Sequence, residues 1–126
     1  MLTNQLYEAR TYTEAKKAYV VIEEIEGIIE RRKGELPTKL PEELLPVAWC
    51  ESGLKHYKSN GDITKSPTKD FGLLQINRAW IDNAQKMGLD IFEKKDNIKF
   101  GIYLYEQNGL SDWRHSKHCW KKLTQK

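Results

Sequence analysis

The stretch Leu44-Leu45-Pro46-Val47-Ala48-Trp49-Cys50-Glu51-Ser52-Gly53 reads as an apolar helix that closes on a carboxylate, a hydroxyl and a glycine. Leu44, Leu45, Val47 and Ala48 supply its buried side. Pro41 suits a first helical position, and Glu42 and Glu43 sit where the positive end of the helix dipole favours them. Pro46 leaves the limits of the first turns open. Flanked by Trp49 and this apolar helix, Glu51 is expected to be partly desolvated, which disfavours its charged form and suits it to general-acid work near neutral pH. The alternative is that Glu51 caps a neighbouring element or lies in solvent, as most glutamates do.

Upstream, Thr11 and Glu14 form the Thr-x-x-Glu pattern of a capping box, so a helix is expected to start here. Ala18, Val21, Ile22, Ile25 and Ile29 recur at helical spacing and predict one apolar packing stripe. Arg31-Arg32-Lys33-Gly34 supplies the cations and the glycine of a C-terminus. The whole of 11–33 therefore reads as an amphipathic helix, either packed on a core or docking a partner protein. Pro37 and Pro41 then mark 34–40 as a linker.

Downstream, Asn60-Gly61 and a polar run without helical period predict a loop or small hairpin over 57–71. Asn77 is expected to cap a helix to Met87, with Gly88 as its stop. Asp96 or Asn97 is expected to cap another to Gln107, with Ile98, Gly101, Ile102 and Tyr105 facing inward. Within Asp70-Phe71-Gly72-Leu73-Leu74-Gln75-Ile76-Asn77, two roles stay open for Gln75: lining a cleft, or bonding backbone carbonyls under the loop.

The full length of 126 residues suits one compact domain with 39% hydrophobic residues. The net charge of +3, from 21 basic and 18 acidic residues that are interspersed, is too balanced to argue for nucleic acid by itself, and no nucleic-acid partner is expected. No apolar run approaches the ~20 residues of a membrane span. The opening MLTNQLYEAR lacks the basic start and apolar stretch of a signal peptide. Cys50 and Cys119 are the right number for one disulfide.

Three motifs in register carry a resemblance. Glu51-Ser52-Gly53, then Gly72-Leu73-Leu74-Gln75-Ile76, then Asn97-Ile98-x-x-Gly101-x-x-x-Leu104 resemble the soluble lytic transglycosylase domain of the lysozyme-like superfamily over about 47–120. The Asp70–Asn77 segment is also similar to a stretch of c-type lysozymes. The ending Trp113-x-x-Ser116-x-x-Cys119-Trp120 resembles small bacterial transglycosylase-like proteins with a paired cysteine. The Ala-Tyr-Asn-Ala-Gly segment usual in the family is missing.

The resemblance implies a mainly helical fold, with α+β as the variant, so that residues 41–126 form a lysozyme-like domain with a small hairpin, preceded by residues 1–40 read above as N-terminal helix and linker. It implies Glu51 as catalytic acid/base, Asp70 as a candidate second carboxylate, and Ser52, Gln75, Asn97 and Tyr103 as substrate-binding residues. It also implies a Cys50–Cys119 disulfide, and peptidoglycan glycan strands as substrate, cut between N-acetylmuramic acid and N-acetylglucosamine. Such cleavage needs a proton donor and stabilisation of an oxocarbenium-like state, and calls for no metal or organic cofactor. A periplasmic, extracellular or phage-released location follows from that substrate. Two rivals are a catalytically dead lysozyme-like domain and a zinc-stabilised binding module using Cys50, His56, His115, His118 and Cys119, with solvent-exposed histidines as the plainer account of the imidazoles.

Overall fold

Thr11 starts the first helix, α1 (Tyr12–Arg32), through the predicted box: its hydroxyl accepts the Glu14 N–H at 3.2 Å, and the Glu14 carboxylate accepts the Thr11 N–H at 3.2 Å. The computed structural model describes residues 9–124, so 1–8 and 125–126 of the two expected units lie outside the described residues. The packing face of α1 matches the predicted stripe at Ala18 and at Ile22, which packs partly buried against the core, but not beyond. Ala15, Ala18, Tyr19, Gly27 and Glu30 are buried, whereas Val21, Ile25 and Ile29 are 40, 41 and 49% exposed. Alanine and glycine on the inward face allow close approach. The buried Glu30 is compensated by Lys95 at 3.2 Å and by the Thr38 N–H. Glu23 likewise accepts the Leu40 N–H, so the 34–40 linker is tied back along α1.

Pro41 precedes a single 3-10 turn, Glu42–Leu44, and the helix proper, α2, runs Leu45–Ser52. Pro46 falls in its first turn, where its missing N–H costs no intrahelical bond. Leu44 to Ala48 are all buried, so the start of α2 is sheathed on every side. Gly53 ends it in the left-handed conformation, at φ 67°.

The expected hairpin region extends past 71 to Asn77. Its ordered pair is β1 (Asp70–Phe71) against β2 (Ile76–Asn77), antiparallel, with Asp70 opposite Asn77 and Phe71 opposite Ile76. Isolated bridges join Tyr57 to Ile63 and Lys65 to Phe71. Gly72 sits at φ 80° with no room for a side chain, since a Cβ there would meet Asn97 Nδ2 and a His56 ring atom at 2.5 Å.

Asn77 caps as predicted, accepting the Ala79 N–H, but a 3-10 turn (Arg78–Trp80) comes first and α3 (Ile81–Lys86) follows. The next helix, α4 (Lys94–Asn108), corrects the predicted start. Glu93 is its N-cap without a side-chain bond, and Asp96 and Asn97 lie inside it. Its buried face is Asn97, Ile98, Phe100, Gly101 and Leu104, while Ile102 and Tyr105 are only half-buried. A 3-10 stretch (Ser111–Ser116) leads into α5 (Lys117–Thr124), and Cys119 on α5 is disulfide-bonded to Cys50 on α2. The fold is mainly helical with one small antiparallel hairpin. Ala15, Ala18 and Tyr19 of α1 share one buried cluster with Leu73, Leu74 and Phe100. None of the described helices is long and apolar enough to cross a membrane.

Candidate active site

Glu51 occupies the last turn of α2, and its side chain is only 6% exposed. Desolvation of that depth requires partners, and both come from the C-terminal segment. Ser116 Oγ donates to Glu51 Oε2 at 2.6 Å, and His115 Nε2 lies 2.8 Å from the same oxygen. The disulfide between Cys50 and Cys119 anchors this segment beside Glu51. Trp113 anchors it again by donating its indole N–H to the Leu74 carbonyl at 2.8 Å. The sequence marks Glu51 but not these two partners; His115 enters the sequence reading only as an imidazole, and nothing local links it to a residue so distant in the chain.

His115 also lines a cavity of about 280 Å³ whose walls include Asp70, Gln75, Asn77, Trp80 and Asp112. Cleft and carboxylate therefore meet at this imidazole. Within the cavity, Asp70 is fully engaged: Oδ2 accepts from the Ser66 and Thr68 hydroxyls, and Oδ1 accepts from Asn77 Nδ2 at 2.9 Å. Partial burial pushes its carboxyl up, but the donors of Thr68, Ser66 and Asn77, with a smaller influence from His115, hold it below the ordinary carboxylate range.

Gln75 combines the two roles left open. It lines the cavity, yet its Nε2 donates to the Gly72 and Thr64 carbonyls at 2.8 and 3.2 Å. Ser52 fastens α2 to the hairpin, its hydroxyl 2.7 Å from the Leu73 carbonyl. Asn97 departs from the expected sugar-binding role. It is fully buried, accepts the Leu74 N–H, and donates to the Phe71 and Ile91 carbonyls, all three bonds near 3 Å, so it offers no surface to a ligand. Tyr103 packs against Phe100 with ring centroids 5.6 Å apart, and it is not among the cavity walls.

His56 is buried rather than exposed. Its Nδ1 accepts the Leu73 N–H at 3.0 Å and its Nε2 donates to the Phe92 carbonyl at 2.7 Å. That bonding requires a neutral ring, and burial lowers its pKa below the ordinary histidine value. The imidazole is thus a second clamp under the hairpin turn. With Cys50 and Cys119 oxidised, neither thiolate of the zinc reading exists, and the described residues hold no group of three or more His, Cys, Asp or Glu arranged to bind a metal ion. A larger cavity of about 430 Å³ between α1 and α4 is lined by glutamates and lysines that pair with one another, as in Lys94–Glu26 and Lys95–Glu30.

Comparison of the chain with protein-family models, with curated proteins and with solved structures finds no match.

Proposed function

We propose that this chain cleaves peptidoglycan glycan strands between N-acetylmuramic acid and N-acetylglucosamine, with Glu51 as the single acid/base. The observation that carries the reading is a nearly buried carboxylate, one oxygen of which accepts the Ser116 hydroxyl and lies 2.8 Å from an imidazole that lines a polar cavity. Such a group is suited to give its proton to a leaving glycosidic oxygen. Glu51 then accepts the proton of the muramyl 6-hydroxyl as that oxygen attacks the anomeric carbon, leaving 1,6-anhydromuramyl ends, while the N-acetyl group stabilises the positive charge on the sugar.

Asp70 supports this outcome over lysozyme-type hydrolysis. Three side-chain donors within the hairpin occupy both its oxygens, which suits a turn-stabilising carboxylate better than a nucleophile. The disulfide suits an oxidising compartment, where peptidoglycan lies. Mass spectrometry of fragments released from purified peptidoglycan tests the reading. Anhydro ends are expected. Reducing ends carrying oxygen from labelled water make the enzyme a hydrolase, and absence of fragments rejects catalysis.

A further inference from the structure

We propose that His115 is a positioning residue for Glu51: together with Ser116 it holds Oε2, so that every proton exchange with substrate runs through Oε1. The inference rests on the reading of Glu51 as acid and base. Two contacts converge on Oε2, Ser116 Oγ at 2.6 Å and His115 Nε2 at 2.8 Å. Oε1 receives neither. The Tyr19 hydroxyl is the sole fully buried side-chain polar atom without a partner among the described residues, so the unbonded Oε1 retains access to solvent. One carboxylate oxygen is therefore held by two neighbours, and the other carries no side-chain hydrogen bond among the described residues.

With Oε2 held, the carboxyl group gives and takes its proton through the same atom in both steps, at a constant angle to the sugar. The proton leaves Oε1 for the glycosidic oxygen as its bond to the anomeric carbon breaks. Oε1 then takes the proton of the attacking hydroxyl as that oxygen bonds the same carbon. His115 gains and loses no proton over the cycle. It acts through Nε2, 2.8 Å from Oε2, and, 63% exposed, it stands at the cavity wall beside the 6% exposed carboxylate.

The test compares wild type with Glu51→Gln, His115→Ala and His115→Gln in steady-state kinetics on soluble glycan strands, with folding checked by circular dichroism. The glutamine side chain returns an N–H donor near the place of Nε2. We expect kcat to fall about a hundredfold in His115→Ala with KM changed less than about twofold, and most of the loss to be recovered in His115→Gln. If Glu51→Gln is dead while His115→Ala matches wild type, positioning is overturned and the role of Glu51 stands. If His115→Gln is as impaired as His115→Ala, or KM carries the loss, the imidazole is a cleft wall and the proposal fails. If wild type itself is inactive, the reading of Glu51 falls and takes the catalytic part with it. A readout free of turnover is proton NMR. A downfield His115 Nε2–H resonance is expected in wild type and is lost in Glu51→Ala; its absence from wild type overturns the contact.

Discussion

Asn97 and Leu74 are joined by a bond that fastens the hairpin to α4: the Asn97 Oδ1 accepts the Leu74 N–H at 3.0 Å. The Leu74 carbonyl is taken by the Trp113 indole, so both polar groups of one buried backbone unit are satisfied by side chains from different elements. The wall of the candidate cleft is held by these bonds together with those of His56 and Gln75. Helix α4 comes close enough because Gly101 faces Leu74 with no space for a Cβ.

Asn97→Ala should strand the buried Leu74 N–H and Ile91 carbonyl and remove a bond to the part-buried Phe71 carbonyl. At about 1–3 kcal/mol for each unsatisfied group, the loss should reach roughly 3 kcal/mol or more. Urea unfolding measures it. A change within about 0.5 kcal/mol would show that water replaces the amide.

Glu51→Gln should abolish wall clearing and preserve the fold. The amide oxygen still accepts from Ser116 and keeps its contact with His115, but the group no longer gives or takes a proton. Retention of more than a few per cent of wild-type clearing, with unchanged circular dichroism, would remove Glu51 from the chemistry.

Asp70→Asn should lower the rate without abolishing it, leave the anhydro ends unchanged, and weaken the hairpin. The folded state holds the Asp70 carboxyl below its ordinary range, so the unfolded chain takes up this proton more readily. Its contribution to stability is therefore full above the unfolded pKa, about 4, and is lost as pH falls through the lower folded value. Thermal unfolding should show a lower Tm for the variant at pH 7, with the gap closing as pH drops below about 4. A gap that stays constant with pH would separate the loss of stability from the carboxylate charge.

Alkylation of the native protein should find no free thiol, since Cys50 and Cys119 are bonded to each other. Reduction should cost about 4 kcal/mol in the chain-entropy model, given the length of the closed loop. It should also loosen Ser116 and His115 from Glu51, so activity should fall before the fold is lost. Activity that tracks only global unfolding across a reductant series would show that the tail holds its place without the bond.

Features that depend on a few neighbouring residues were legible in the chain itself. The Thr11–Glu14 box, the helix it opens, the Asn77 cap and the glycine after Glu51 involve partners within a turn or two, where backbone N–H groups and side-chain oxygens meet whatever the rest of the fold does. Glu51 stood out for the same reason, as a carboxylate closing an apolar helix. Periodicity placed Ala18 and Ile22 on the covered side of α1 but not the rest of that face. Val21, Ile25 and Ile29 are as apolar as a core stripe requires, but burial followed the face whose small residues fit the surrounding elements and whose Glu30 finds Lys95. Asn97 reads as a cap or a sugar ligand until the hairpin is laid against it. The two groups that hold Glu51 come from the other end of the chain and meet it only after that segment is anchored beside α2, because a hydrogen bond has no reach beyond about 3 Å and sequence distance carries no information on which groups packing will bring together.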